Sequence, residues 1–324
     1  MRAGVDGAYD AVADELRSYT PAATLAGAWS EVLRHTVASA ARLTEPDGEL
    51  PWAWFVSGSV ARGEAAPGSD VETMVAIDDH IDDDGKVTLL ASAANVHALL
   101  ERCGVHGDAN GVLASRPRFC RRRASWSEGV ERWSTDPRED RGVVMTGLLA
   151  DSRGVLSGSE VPENFLRAQT VAAAGRNSAV RQAMLQDATA FRATFPSRLR
   201  WLANQADDVD LKLVAMDPVV KIARWAALSA GSDALYTLDR LDAAAAANTL
   251  DADDVSSLRD CFSWLLRFRW RIRAGAWLRD ERVSDVISLS ATAPQERAML
   301  RSVAREVSGI SRKLTFLAST QSLR

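Results

Sequence analysis

The chain has 324 residues and a formal net charge of -4, with 47% apolar and 25% charged residues. These values predict a globular protein of about two domains and disfavour nucleic acid or an anionic membrane as a partner bound through overall charge. Three widely separated cysteines without a Cys-x-x-Cys pair argue against a disulfide framework or a zinc site, and no run approaches the ~18 apolar residues of a membrane span. A cytoplasmic protein without a membrane partner is therefore expected.

Helical and extended patterns alternate through the first half of the chain. Trp29, Leu33 and Val37 recur at helical spacing, and a Gly-rich stretch divides two short apolar runs. The predicted elements, in chain order, are helices within 8–44, strands over 52–58 and 73–77, a helix over 86–102, a short strand over 111–115, a helix over 118–134 and a strand over 143–153.

After about residue 160 only helical patterns remain. Asp217-Pro218 marks a helix start, and residues 253–278 form a long amphipathic pattern. The predicted fold class is therefore α+β. Residues 1–160 are expected to form N-terminal helices and a mixed-sheet domain, and residues 161–324 an all-α helical bundle.

The stretch WFVSGSVARGEAAPGSDVETMVAI (54–77) places two acids after a Gly-Ser turn. Gly58 lets the backbone approach a phosphate, and free N–H groups at a helix start attract anions. Asp70 and Glu72 are two residues apart, and residues at that spacing on a strand share a face, so their carboxylates converge. Paired oxygen ligands suit Mg²⁺ bridged to substrate phosphates. The alternative is a pair of exposed acids on a sheet edge without a metal.

A strand, a Gly-Ser turn and an acid-x-acid strand in this order resemble the nucleotidyltransferase superfamily that includes DNA polymerase beta. The stretch is also similar to the GS-x-x-R-x-E…SDxD signature of bacterial nucleotidyltransferases related to PII-protein uridylyltransferase. The residues in register with that signature are Arg62, Glu64, Ser69 and Asp70. DLKLVAMDPVVKIARWAALSAG (210–231) resembles the C-terminal substrate-binding domain of the same family.

This resemblance implies transfer of a nucleoside monophosphate from a nucleoside triphosphate, ATP or UTP, to an acceptor hydroxyl, with Mg²⁺ or Mn²⁺ as cofactor. The implied catalytic and metal-binding residues are Asp70, Glu72 and Asp151, and the implied nucleotide-binding residues are Gly58, Ser59, Arg62, Ser69, Lys212, Lys221 and Arg224. The implied acceptor is a signalling protein or a small molecule rather than nucleic acid, and the sequence leaves an oligomer open.

Glu72 stands where the family usually has a second Asp. Glutamate is one methylene longer, which shifts a bound ion by on the order of an ångström and can cost ~100-fold in rate. A catalytically weakened, nucleotide-binding regulatory or interaction module is therefore the alternative function. Two residue roles also stay open. Arg62 either binds phosphate or fixes the loop through Glu64, and Asp151 either binds metal or caps a turn.

Three further segments carry less specific signals. DDHIDDDG (78–85) lacks the acids that an EF-hand needs at both ends and is predicted to be a solvated loop. RPRFCRRR (116–123) could bind RNA, a nucleotide tail or an acidic partner, but a solvated helix face balanced by nearby acids is favoured. Trp264, Trp270 and Trp277 repeat at helical spacing, which favours core packing over base stacking.

Overall fold

The computed structural model describes residues 2–17, 20–44, 52–157, 161–190 and 207–321. The chain divides into two compact units, Met1–Ala173 and Ala174–Arg324. The first unit combines helices with a mixed sheet and the second is mainly helical, which confirms the predicted α+β class. The division falls within the helix Phe165–Arg176, which lies after the boundary that the sequence predicts at residue 160.

The first unit begins with two helices and then alternates strands and helices. Its elements are α1 (Arg2–Arg17), α2 (Ala22–Thr44), β1 (Trp52–Val56), α3 (Gly58–Ala61), β2 (Thr73–Ile77), α4 (Asp83–Arg102), β3 (Cys120–Arg122), α5 (Arg123–Thr135), α6 (Gly142–Ala150), β4 (Arg153–Ser157) and α7 (Phe165–Arg176). A single 3₁₀ turn, Glu139–Arg141, precedes α6.

The four strands form one sheet in the order β3-β2-β1-β4. β1 is antiparallel to both of its neighbours, and β2 is parallel to β3. Every residue of β1 and β2 is buried. A strand covered on both faces needs apolar side chains at consecutive positions, which explains why WAWFV and TMVAI show no alternation with polar residues.

Helices cover both faces of this sheet. On one face, Phe55 and Met74 pack in a core cluster with Trp126 and Trp133 of α5. On the other face, Trp54 meets the ring of His97 on α4, with the ring centroids 6.3 Å apart. α2 contacts β1 and β4 and packs along α4. The sheet is therefore fixed from both sides, and its strand ends provide a rigid base for the loops that follow them.

Two strand predictions in this unit are wrong, and one helix is shorter than predicted. Residues 143–153 are mostly α6, because a short apolar run that is buried on all sides has the same pattern in a helix as in a strand. The strand follows it as β4. Residues 111–115 form a loop without a regular ladder, in which the Val112 carbonyl oxygen accepts a hydrogen bond from the Thr73 N–H at 2.9 Å. The helix predicted over 118–134 is preceded by β3 and begins at Arg123.

Helices and a short strand pair make up the part of the second unit that the structure describes. Its elements are α8 (Ser178–Ala190), β5 (Asp208–Asp210), α9 (Asp217–Ser229), α10 (Thr237–Ala246), α11 (Ala252–Leu278), β6 (Val286–Ser288) and α12 (Pro294–Gln321), with a π-helical turn at Lys212–Met216 before α9. α9 and α11 confirm two of the predicted helices. The antiparallel β5–β6 pair corrects the expectation that only helices follow residue 160, since strands of three residues are too short to show a period.

A buried ionic cluster holds the strand pair on α11. The Asp285 carboxylate accepts hydrogen bonds from Arg269 Nε at 2.6 Å and from Arg273 at 2.6 Å. Burial opposes ionisation of Asp285, but the two guanidinium groups outweigh it and lower its pKa to about 2. The carboxylate is therefore charged at neutral pH and fixes the chain just before β6.

No helix that the structure describes is both long and apolar enough to cross a bilayer.

Candidate active site

A left-handed glycine turn follows the central strand of the first unit. Ser57 is extended, and Gly58 then takes a φ of +63°, a conformation that side chains with a Cβ rarely adopt. The Ser57 N–H donates to the Glu72 carbonyl oxygen at 3.0 Å, and its hydroxyl donates to the Leu148 carbonyl oxygen at 2.7 Å. The turn is thus anchored to the acidic segment on one side and to α6 on the other.

Asp70 and Glu72 lie immediately before β2, not within it, because the regular ladder begins at Thr73. This corrects the prediction that both acids lie on the strand itself. Val71 between them forms an isolated bridge with Gly107 and is fully buried, whereas both acids are partly exposed. In extended chain, alternation then directs Asp70 and Glu72 away from the side of Val71.

The Glu72 carboxylate lies directly against the glycine turn. A Cβ atom built on Gly58 would come within 2.4 Å of Glu72 Oε2. Real Cβ atoms do not approach an oxygen so closely, so a side chain at position 58 would displace this carboxylate. Glycine is therefore required here twice, once for its φ angle and once for its missing side chain.

Three polar side chains near the glycine turn differ in their hydrogen bonding. They are Ser59, Ser69 and Asp70. Within the described residues, neither the Asp70 carboxylate nor the Ser59 hydroxyl makes a hydrogen bond or ion pair. Ser69 is buried, and its Oγ accepts a hydrogen bond from the Ala66 N–H at 3.0 Å. Ser69 therefore closes the loop that leads to Asp70, while Asp70 and Ser59 keep polar atoms available for a ligand.

Arg62 is the centre of a buried ionic network. Its Nε donates to Glu64 at 2.7 Å, and a terminal nitrogen donates to the Asp151 carboxylate. All three side chains are buried. Burial opposes the charge on Arg62, but Asp151 first, and then Glu64 and Glu72, outweigh it and raise the arginine pKa. Of the two roles left open for Arg62, the geometry favours loop fixation, since two of its nitrogens already face carboxylates.

The three expected metal ligands do not form one set. Across the part of the chain that the structure describes, no three His, Cys, Asp or Glu side chains are grouped so that they could hold an ion. Asp151 ends α6, is 1% exposed and is held by Arg62. Asp70 and Glu72 remain, and this donor set fits a Mg²⁺ ion that is bound through two carboxylates, water and substrate phosphates.

Residues that the sequence did not single out support the acidic segment. The Thr73 hydroxyl accepts a hydrogen bond from the Ala114 N–H at 2.9 Å and lies 2.9 Å from His97 Nε2. Burial lowers the pKa of His97 to about 4, with Glu101 opposing it weakly, so the ring is neutral at pH 7. The sequence alone does not indicate that His97 contacts the acidic segment, because His97 lies on α4 and its partner Thr73 lies on β2.

Asp108 also supports the loop beside the acids. Its Oδ2 accepts from the Val112 N–H at 2.8 Å, and its Oδ1 accepts from the Asn110 amide at 3.2 Å. The local sequence GDANG carries a recognisable signal for this, since an aspartate that bonds its own following backbone is typical of a turn.

The remaining predicted nucleotide-binding residues belong to the second unit. Lys212 lies in the π-helical turn and is partly exposed. Lys221 on α9 pairs with Asp187 of α8 at 3.0 Å, and Arg224 is three residues further along the same helix. The structure therefore gives Lys221 a partner inside its own unit.

The arginine-rich segment is used inside the first unit. Arg122 and Arg123 pair with Asp83 and Asp78 of the acidic loop, and Arg121 lies over the rings of two tryptophans of α5. These contacts favour the interpretation of 116–123 as a segment balanced by nearby acids over an interface for RNA.

The acidic loop 78–85 has a structural role as well. Asp82 caps α4 by accepting from the Gly85 N–H at 2.8 Å, and Asp79 accepts from the Ala124 N–H of α5 at 2.9 Å. Carboxylates at helix starts satisfy orphan N–H groups, so this segment connects α4 and α5.

Two family models together match most of the chain. Residues 8–140 match a family described as "Putative nucleotidyltransferase DUF294", and residues 178–317 match one described as "Putative nucleotidyltransferase substrate binding domain". The first match includes the glycine turn and both acids, whereas Asp151 lies outside both matches. No protein with a curated description matches the chain.

Proposed function

Because the chain belongs to this putative nucleotidyltransferase family, with its C-terminal substrate-binding domain, we propose that it transfers a nucleoside monophosphate from a nucleoside triphosphate to an acceptor hydroxyl. In this reaction the acceptor oxygen forms a bond to the α-phosphorus, the bond to the β-phosphate breaks, and pyrophosphate leaves with its electron pair. The acceptor proton passes to solvent or base.

One observation carries the proposal, the contact between the glycine turn and the acidic segment. Gly58 at a φ of +63° leaves room for the Glu72 carboxylate, which a Cβ would meet at 2.4 Å. Asp70, on the same side of the extended segment, has no recorded partner within the described residues. Two hard oxygen ligands thus lie beside a turn whose backbone a phosphate can approach.

In the proposed roles, Asp70 and Glu72 hold Mg²⁺, for which Mn²⁺ can substitute. The ion would neutralise charge on the triphosphate and on the leaving pyrophosphate. Gly58 and Ser59 would receive the outer phosphates through backbone N–H groups and the serine hydroxyl. Arg62 and Asp151 act as positioning residues, because their buried ion pair ties the end of α3 to the end of α6.

A more specific proposal concerns the nucleotide and the acceptor. We propose an adenylyl- or uridylyltransferase whose acceptor is a signalling protein or a small molecule, by resemblance to the PII-protein uridylyltransferases. We also propose a cytoplasmic location. All three cysteines are free and buried, which is typical of proteins in a reducing compartment.

The direct test is transfer of radiolabel from α-labelled ATP and UTP, with pyrophosphate release measured in parallel. The wild-type chain should release pyrophosphate with Mg²⁺ and stop when the metal is chelated. Asp70→Asn should reduce release by ~100-fold or more, since it removes a charged ligand at nearly constant shape. Asp84→Asn is the matched control, because Asp84 is exposed in the first turn of α4. Equal release by both variants would count against the proposed roles.

A weakened, nucleotide-binding regulatory module is the second candidate, and Glu72 and Asp151 favour it. Glu72 replaces the shorter acid that the family usually carries, and Asp151 is held by Arg62 instead of joining the pair. This candidate predicts Mg²⁺-dependent binding of ATP or UTP without pyrophosphate release in any acceptor mixture. Glu72→Asp separates the two, because a gain in turnover would indicate a weakened site and a loss would indicate an enzyme adapted to glutamate.

A further inference from the structure

A cavity of about 570 Å³ lies within the second unit, between helices that the proposed transfer site does not use. It is lined by residues of α8, α9 and α12 and by the turn between α10 and α11. The cavity is open to solvent on one side, and its volume lies in the range of ~300–1,000 Å³ that is typical of small-molecule sites. It is therefore large enough for a small ligand.

Each helix contributes one stripe of side chains to this cavity. On α9, Trp225 and Ser229 are one turn apart and share a face, and on α8 Ser178 and Leu185 lie two turns apart. Leu185 and Leu314 of α12 are buried and form the apolar floor. Trp225 is half-buried, so part of its ring is available to a planar ligand.

The cavity also collects polar groups that the fold itself does not use. Several polar groups that line the cavity make no hydrogen bond within the described residues. They are the side chains of Ser178, Ser229, Asn248 and Thr249 and the indole N–H of Trp225. Three hydroxyls, an amide and an indole N–H thus face one space. These side chains are exposed or half-buried, so their polar groups are open to solvent and available to a bound ligand.

The charge around the cavity restricts which class of ligand can bind there. Arg181 is the one charged side chain among its described lining residues. Its guanidinium donates to the carbonyl oxygen of Gly175 at 3.0 Å and to that of Ala174, so it is fixed at the end of α7. Since none of the described lining residues is an acid, this fixed cation disfavours a cationic ligand and accommodates a neutral or singly phosphorylated one.

We propose that this cavity binds a nucleoside or a nucleoside monophosphate. The base stacks on Trp225, the ribose hydroxyls meet Ser229, Thr249 and neighbouring polar groups, and a single phosphate is placed near Arg181. Nearly all lining residues lie in the region that matches the substrate-binding-domain model. The site would act independently of Asp70 and Glu72, so it does not depend on the proposed transfer reaction.

Calorimetric titration of the full-length chain with adenosine, uridine, AMP and UMP tests this site. The titrations are done without divalent metal, so that binding at a metal-dependent triphosphate site does not contribute. At least one probe should bind saturably in the millimolar range or below. Trp225→Leu should weaken that binding about tenfold or more, because stacking on an aromatic ring is lost. Ser229→Leu, which fills the cavity with a larger side chain, should abolish it.

Matched controls make the result specific. Trp264→Leu replaces another half-buried tryptophan of the same unit, which stacks on Phe268 outside the cavity, and it should leave probe affinity unchanged. Asp70→Asn should also bind the probe normally even if nucleotide transfer fails. The proposal is overturned if none of the four probes binds, if Trp225→Leu and Trp264→Leu bind equally well, or if Asp70→Asn alone removes binding.

Discussion

A buried ionic cluster lies in the described part of each unit, and the two clusters have opposite compositions. In the first unit one cation, Arg62, contacts two acids, Glu64 and Asp151, and a third acid, Glu72, contributes at longer range. In the second unit one acid, Asp285, contacts two cations, Arg269 and Arg273. The first cluster therefore carries an excess of negative charge beside the glycine turn. The second carries an excess of positive charge in the C-terminal half of α11.

This difference separates a structural role from a functional one. The Asp285 cluster connects β6 to α11 and is complete in itself, because every charged oxygen has a guanidinium donor. The Arg62 cluster has two carboxylates for one guanidinium, with the Glu72 carboxylate acting on it at longer range, and a bound divalent ion would balance this excess of negative charge. We therefore expect perturbation of the first cluster to affect both folding and ligand binding, and perturbation of the second to affect folding alone.

The largest effect is expected from removing the shared cation of the first unit. Arg62→Met leaves Glu64 and Asp151 buried without a counter-charge, which should lower the free energy of unfolding by about 3–5 kcal/mol. Urea denaturation followed by tryptophan fluorescence measures it. The double variant Arg62→Met with Asp151→Asn should recover part of the loss. A change below about 1 kcal/mol would mean that the pair is solvated and not structural.

The corresponding change in the second unit should be somewhat smaller. Asp285→Asn leaves two guanidinium groups buried, at a cost of about 3 kcal/mol, toward the lower end because Asp285 is slightly more exposed than Asp151. Hydrogen exchange should show the loss in α11 and in β6. If this variant instead changed metal-dependent nucleotide binding, the contrast between the clusters would fail.

A smaller effect is expected at the glycine turn. Gly58→Ala has the strain of a positive φ angle, which should cost about 1–2 kcal/mol, and it displaces the Glu72 carboxylate, which lies at the far end of a flexible side chain. Gly104→Ala is the matched control, because Gly104 has a φ of +75° but open space around its Cα, and it should cost only about 1 kcal/mol. Nucleotide binding should fall in the first variant alone. Equal behaviour would show that Glu72 does not depend on the turn.

Acid should weaken the two units in different pH ranges. His97 has a folded pKa of about 4 against an ordinary value of 6.5, so the unfolded chain binds more protons between these values. Its contribution to stability, complete above pH 6.5, is therefore lost as the pH falls toward about 4. Asp285, with its pKa lowered to about 2 from 3.8, keeps its contribution until the pH falls below 3.8.

Hydrogen exchange at several pH values would measure this separation. Protection in β2 and α4 should decline between pH 6.5 and 4 while protection around β6 is retained. His97→Gln should flatten the decline in the first unit. A uniform decline in both units, or no change in the variant, would contradict the assignment of His97.

The elements that could be predicted from the sequence are those fixed by local patterns. β1 and β2 are continuous apolar runs bounded by a turn, and α4 and α11 have clear helical periodicity. The sequence pattern predicts a strand where α6 lies, because a short apolar run is compatible with either structure once it is buried.

In the candidate site, too, the features that the sequence predicts are the local ones. The glycine turn and the two acids lie within one short stretch, so their proximity follows from local geometry. The pairing of Arg62 with Asp151 spans 89 residues, and no local pattern predicts it. For this reason the sequence offered Asp151 as a metal ligand, whereas the structure places it on an arginine.

The central claim is that Asp70 and Glu72 bind a divalent ion together with a nucleoside triphosphate. The most direct measurement is Mn²⁺ binding by electron paramagnetic resonance, in the presence of a non-hydrolysable ATP or UTP analogue, for wild type, Asp70→Asn and the control Asp84→Asn. We predict that wild type and the control bind Mn²⁺ equally and that Asp70→Asn loses the bound ion. Undiminished Mn²⁺ binding by Asp70→Asn would contradict the account.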